Sequence, residues 1–121
     1  MATILIVDDE FNLAELLGEL LALRGHTVAL ALNGAQGLEH LKNHTVDLVI
    51  SDVMMPIMSG KDMVAAMQAT PELAGIPVIL MSAVPHLLTA VAAEVPLRAT
   101  LLKPFAPTLL YATIARALAE P

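Results

Sequence analysis

Cysteine and tryptophan are absent from the 121 residues, and only Phe11, Phe105 and Tyr111 are aromatic. The lack of cysteine excludes a disulfide framework and thiolate chemistry. It accords with a reducing cytoplasm, the expected location. With 57% apolar residues and so few aromatics, the core must be aliphatic and methionine-rich, and the seven methionines read as core filling. Basic side chains are also scarce. Six Lys and Arg stand against twelve Asp and Glu, a formal charge of −6, which excludes nucleic acid as a direct partner because phosphate binding needs cationic side chains. A protein or a cation is the expected partner. The Met1-Ala2-Thr3 start lacks the basic region of a signal peptide and favours a free N-terminus. Leu73 to Ala93 carries no charge and is long enough to span a bilayer. Pro77, Ser82, Pro85 and His86 interrupt it, however, and spanning helices are more uniformly apolar. No membrane association is expected. Linkers, internal repeats and low-complexity tracts are missing too, so residues 1–121 read as one domain.

The apolar residues that are present alternate between two periodicities. Thr3–Val7 is a β-branched run, hence a strand, stopped by Asp8-Asp9-Glu10. From Asn12 to Arg24, Leu13, Leu16, Leu17, Leu20 and Leu21 fall at helical spacing, with Gly25 as the stop. His26–Ala31 reads as a short second strand. Asn33 and Gln36 form a capping box for a second helix, whose stripe is Leu38 and Leu41 and whose end is Asn43-His44. Val46–Ser51 is the third strand. Ser59 caps a third helix with Met63, Val64 and Met67 inward. Residues 70–75 form a loop, Ile76–Met81 a fourth strand, and Pro85 to about Val95 a fourth helix. Ala99–Leu102 is the fifth strand, and the fifth helix starts near Pro107, an apt first helical position. Five strands alternating with five helices predict an α/β fold, a doubly wound parallel sheet built from right-handed βαβ units.

In such a sheet all strand ends share one edge, where ligands bind. Asp8 and Asp9 follow the first strand, Asp52 the third, Ser82 the fourth and Lys103 the fifth. Singly, each carboxylate reads as a helix cap or solvated turn, Ser82 as a turn residue and Lys103 as a solvated side chain. Jointly they are a site. Two like charges 4 Å apart cost roughly 4 kcal/mol at an effective dielectric of 20, so three converging carboxylates call for a cation. An all-oxygen ligand set favours Mg²⁺ over Zn²⁺, and Mg²⁺ leaves room for phosphate oxygens.

Ile4–Glu10, Asp52-Val53-Met54-Met55-Pro56 with Gly60, Met81-Ser82-Ala83 and Lys103-Pro104-Phe105 together resemble the two-component response regulator receiver domain, over essentially the whole chain. The resemblance implies a flavodoxin-like strand order 2-1-3-4-5, the order for which the chemotaxis receiver is a known example. It implies Asp52 as phosphoacceptor, taking a phosphoryl group from a sensor histidine kinase or histidine phosphotransfer protein. Asp9, Asp52 and the Met54 backbone carbonyl would hold Mg²⁺ (Mn²⁺ as a substitute), with Asp8 holding a metal-bound water. Lys103 and Ser82 would bind phosphoryl oxygens, and the Lys103-Pro104 bond is expected to be cis. The chain would be a signalling domain rather than an enzyme acting on a separate substrate.

Two departures qualify the resemblance. The family's switch aromatic, three residues before the lysine, is Thr100, so coupling from Ser82 must run through Thr100 more weakly or through the fourth helix. Met54 and Val84, two residues after Asp52 and Ser82, flank the position of the attacking water and are both apolar. Slow autodephosphorylation is expected. The low charge of the fourth and fifth helices suggests a patch, with the fifth strand, for a homodimer or effector. His40 and His44 are spaced i, i+4 but read as a solvated pair; His26 and His86 show no pattern. The alternatives are a phosphorylation-independent pseudo-receiver, permitted by Thr100, and a flavodoxin-fold phosphatase or reductase. The latter lacks a Gly-rich phosphate loop, an Asp-x-Asp pair and a flavin-stacking aromatic.

Overall fold

The computed structural model describes residues 1–119; Glu120 and Pro121, the last two of the expected domain, lie outside the described residues. The elements are β1 (Thr3–Val7), α1 (Phe11–Leu23), β2 (Thr27–Ala31), α2 (Gly34–Asn43), β3 (Leu48–Asp52), α3 (Gly60–Gln68), β4 (Val78–Ser82), α4 (Pro85–Glu94), β5 (Ala99–Leu102) and α5 (Pro107–Ala119). All neighbouring strands pair in parallel, in the order β2-β1-β3-β4-β5. This is the flavodoxin-like order expected above.

Successive strand residues point to opposite faces, which divides the core in two. Leu5, Val7, Val49 and Leu80 face one layer, covered by α2 and α3 through Leu41, Met63 and Met67 and by α4 through Leu88 and Val91. Ile4, Ile6, Ile50 and Ile79 face the other, covered by Leu17 and Leu21 of α1 and Leu110 and Ile114 of α5. Strands buried on both faces are apolar throughout rather than alternating.

Several element boundaries differ from expectation for local reasons. β3 starts at Leu48, not Val46, because Asp47 closes the ladder with its side chain: its carboxylate accepts the Thr3 N–H at 2.8 Å. β4 starts at Val78, not Ile76. Pro77 has no N–H to pair and contributes only its carbonyl, which accepts from Val49. Both strands run one residue further than expected and take in Asp52 and Ser82. On α1 the buried face is Ala14, Leu17, Gly18 and Leu21, and Leu16 is exposed. The capping box of α2 is displaced: Asn33 accepts the Gln36 N–H, but Gln36 reaches back to the N–H of Leu32. Ser59 caps α3 at Asp62 as expected.

The β3–α3 loop contains the one non-glycine residue with positive φ among those described, Ile57 at +70°. A β-branched side chain there costs about 1–2 kcal/mol. The loop is closed at its base by Gly60, whose N–H donates to Val53 at 2.9 Å. A Cβ on Gly60 would run into the carbonyl oxygen of Asp52, so only glycine permits this return.

Candidate functional site

The C-terminal edge of the sheet brings together every residue that the strand-end argument selected. Asp52 is the last residue of β3 and Ser82 the last of β4. Asp8 and Asp9 follow β1, and Lys103 follows β5. Backbone bonds lock these ends together: Asp8 N–H to Ala31, Val53 N–H to Met81 and Lys103 N–H to Ser82, all between 2.8 and 3.0 Å. The Lys103-Pro104 bond is cis, as expected.

One oxygen from each of Asp8, Asp9 and Asp52 lies within 4.8 Å of the others. Asp8 is buried, Asp52 half-buried and Asp9 exposed. Lys103 is the counter-charge, with its ammonium 3.3 Å from Asp52 Oδ1 and 3.7 Å from Asp8 Oδ2. Burial pushes the Asp52 carboxyl above its ordinary value of 3.8, the Lys103 charge pulls it back, and the Asp8 charge raises it again. Asp8 is raised too, by burial first, against the Glu10 N–H bond and Lys103. Its Oδ1 accepts that N–H at 2.9 Å. Its Oδ2 is buried and has no hydrogen-bond partner, since Lys103 stays at ion-pair rather than hydrogen-bond distance. A buried carboxylate oxygen without a partner is costly. With three carboxylate oxygens this close, the cluster fits a hard divalent cation.

Ser82 Oγ accepts the Val84 N–H at 3.0 Å. That bond uses a lone pair and leaves the hydroxyl proton as a donor. Met54 is 66% exposed and, with Asp9, Met55, Pro56 and Ser59, lines a cavity of about 390 Å³ beside the carboxylates. Val84 is half-buried. Neither side chain carries a group that could orient water.

Thr100 lies exposed on the edge strand β5. The α4–β5–α5 face, where a low-charge patch is expected, exposes few large apolar side chains. Its exposed α4 residues include Ala90, Ala92 and Ala93, and its exposed large ones are Leu102 and Leu109. Phe11, Leu16, Met54 and Ile57 are also exposed. Leu13, Leu16, Leu17, Phe105 and Leu110 line an apolar groove of about 290 Å³ that reaches Lys103 and Pro104. The sequence signal for it was the leucine-rich face of α1, of which only Leu17 and Leu21 are buried. The His40 and His44 rings stack at 4.1 Å. His44 Nδ1 bonds the His40 carbonyl, and neither joins a three-ligand cluster among the described residues. A cavity of about 440 Å³ near His44 and Glu72 lies away from the strand ends. No helix among the described residues is long and apolar enough to cross a membrane.

A family model for the response regulator receiver domain matches residues 4–115. A probable transcriptional regulator, ycf27, of Cyanidium caldarium is 36% identical over 112 residues, covering 92% of this chain and 44% of that protein. The chain thus spans less than half the length of the curated relatives it first matches. The crystal structure of the chemotaxis response regulator CheY4 of Vibrio cholerae superposes with a TM-score of 0.88 at 29% identity, covering 98% of this chain and 99% of that one. Response regulator TrrA of Thermotoga maritima, solved in complex with Mg²⁺ and BeF, gives 0.87 at 30% identity over 98% and 100%.

Proposed function

The chain belongs to the response regulator receiver domain family of two-component signalling, and from that membership we propose that Asp52 is its phosphoacceptor. The observation that carries this reading is the buried, unpartnered Asp8 Oδ2 inside a carboxylate triad already facing Lys103. Repulsion of that kind is tolerated where a cation and a phosphoryl group are to be received.

The donor is the phosphohistidine of a sensor kinase or phosphotransfer protein. An Asp52 carboxylate oxygen attacks the phosphorus, the P–N bond breaks, and the imidazole leaves with its electron pair. Lys103 moves its charge from the Asp52 carboxylate to a phosphoryl oxygen. Ser82 donates its free hydroxyl proton to another while keeping the Val84 N–H. Asp9, Asp52 and the Met54 carbonyl would hold Mg²⁺ or Mn²⁺, with Asp8 bonded to a coordinated water; when bound, the cation neutralises phosphoryl charge. The protein's own work is positioning and charge compensation. Hydrolysis of the acyl phosphate resets the domain. It is slow, because Met54 and Val84 offer the incoming water no hydrogen bond. The domain is a cytoplasmic switch rather than an enzyme with a separate substrate, and the phosphoryl group biases the α4–β5–α5 face toward an effector or a second copy. Three acceptor oxygens and about −1.5 to −2 of charge enter at the edge of that face.

The test is intact mass after incubation with Mg²⁺ and acetyl phosphate. One added phosphoryl group in the wild-type chain, none in Asp52→Ala and none without Mg²⁺, supports the reading. An equally modified Asp52→Ala chain would sink it. Failure to label, with failure to label from a phosphohistidine protein as well, would leave a pseudo-receiver acting through protein contacts alone.

A further inference from the structure

Ile57 occupies a backbone position that suits glycine, at φ +70° and 85% exposed. Its neighbours explain how the strain is held. Met58 N–H turns back to the Pro56 carbonyl at 2.7 Å, so Ile57 is the centre of a three-residue turn, a strained form when φ is positive. Met55 and Met58, on either side, pack inward against the core. The Met58 carbonyl accepts the Gly34 N–H at 3.0 Å, at the start of α2. A Cβ on Gly34 would come 2.8 Å from that same carbonyl, so α2 and the loop are fitted closely to one another. The turn is over-determined, and it pushes one large apolar side chain into solvent. Folding gains almost nothing from that side chain, since it buries almost nothing.

The turn's location says what could use it. The loop's base closes on Val53, the residue after Asp52. The tip stands between Pro56 and Ser59, which line the cavity shared by Asp9 and Met54. Met54, Pro56 and Ile57 make this rim apolar, uncharged and exposed, while the centre carries three carboxylates. Acetyl phosphate is small enough to reach Asp52 without touching the rim. A protein carrying phosphohistidine must cover it.

We propose that Ile57 is a specificity-determining contact for the phosphohistidine protein that exchanges phosphoryl groups with Asp52, seated against an apolar patch beside that protein's histidine. The inference rests on the reading of Asp52 as phosphoacceptor. Strain held at an exposed position next to a reacting group is expected where the side chain serves recognition.

The experiment compares two donors on the wild-type chain, Ile57→Gly, Ile57→Asn and Ile57→Val. One donor is acetyl phosphate. The other is the phosphorylated histidine phosphotransfer protein that charges the wild-type chain fastest in a panel. Gly and Asn both accept positive φ, so both variants fold and melt at or above the wild-type temperature. The ratio of protein-donor to acetyl phosphate kcat/KM falls about tenfold or more in both, the scale of losing one buried aliphatic side chain from an interface. The fall is carried by KM, and Ile57→Val restores most of it. An unchanged ratio in Gly and Asn overturns the proposal, as does an equal fall with both donors, which would mean the loop merely shapes the Asp52 pocket. Labelling by acetyl phosphate with no transfer from any protein donor overturns it while leaving the phosphoacceptor reading intact. No labelling by either donor removes both.

Discussion

At the scale of single residues, the site is defined by charges held where they are least comfortable. Asp8 and Asp52 both titrate above the ordinary 3.8, chiefly because burial disfavours their ionised forms. A raised carboxyl pKa means that the folded chain holds more protons than the unfolded one between the two values, so these groups withdraw stability as pH rises through that window. In metal-free buffer, the stability gained by Asp52→Asn over wild type should therefore be absent near pH 3 and grow toward pH 7. Urea midpoints at each pH check it, and a gain that shrinks with pH would contradict the assignment. His26 behaves oppositely. Its Nδ1 accepts the Ala2 N–H at 3.1 Å, which requires that nitrogen unprotonated. Burial first, then the Met1 amine and Arg24, lower its pKa below 6.5. The stability it contributes is complete above that value and fades as pH falls. The advantage of wild type over His26→Ala should be full at pH 8 and diminish as pH falls below 6.5, read from urea midpoints at each pH. A third residue-scale expectation concerns Met54 and Val84. Met54→Asn with Val84→Glu gives water two hydrogen-bonding groups and should shorten the phosphoryl lifetime about tenfold or more, on the scale of positioned general-base assistance. Decay of the intact-mass signal after donor removal reads it directly.

At the scale of elements, α1 teaches most about what a sequence carries. Five leucines at 13, 16, 17, 20 and 21 suggest a face centred on the large side chains. The buried face is instead Ala14, Leu17, Gly18 and Leu21, turned toward the small residues. The reason is proximity to β2, since a Cβ on Gly18 would already stand 3.3 Å from Val28 Cγ1. Periodicity reports which residues are apolar, but the distance between layers selects which of them turn inward. Leu16→Ser should accordingly change stability by less than about 0.5 kcal/mol, as for surface substitutions, whereas Ala14→Leu should cost about 1–3 kcal/mol by overpacking. Denaturant unfolding of both variants tests this rotation of the helix. The strand ends were far more legible. Acidic, hydroxyl and ammonium groups each interrupt an apolar run, and a parallel sheet allows those runs only one shared edge. What stayed hidden was backbone. Nothing in Met55-Pro56-Ile57-Met58 announces a turn with positive φ, because isoleucine is a poor candidate for it and the constraint comes from Gly34 and Gly60 outside the run.

At the scale of the whole molecule, a chain of net charge −6 concentrates three carboxylates at one edge and gives them one nearby ammonium, Lys103. The parallel order β2-β1-β3-β4-β5 leaves no freedom in this, because β1 and β3 are adjacent and their ends deliver Asp8, Asp9 and Asp52 side by side. One ammonium offsets only part of the repulsion among three carboxylates, so cation binding and global stability should be linked. A ligand that binds only the folded chain adds about 2.7 kcal/mol at a hundredfold excess over its dissociation constant. Mg²⁺ should therefore raise the melting temperature at pH 7.5. The rise should shrink as pH falls toward 4, because Asp8 and Asp52, with their raised pKa values, take up protons in competition with the ion. Asp9→Ala removes the exposed carboxylate while leaving Asp8, Asp52 and Lys103 in place, so it should lose most of the Mg²⁺-dependent rise and yet fold in its absence. NaCl at matched ionic strength separates specific binding from screening of the net charge. If Asp9→Ala gained as much from Mg²⁺ as wild type, the carboxylate triad would be a structural cluster, and the stabilisation would have to arise elsewhere on the acidic surface.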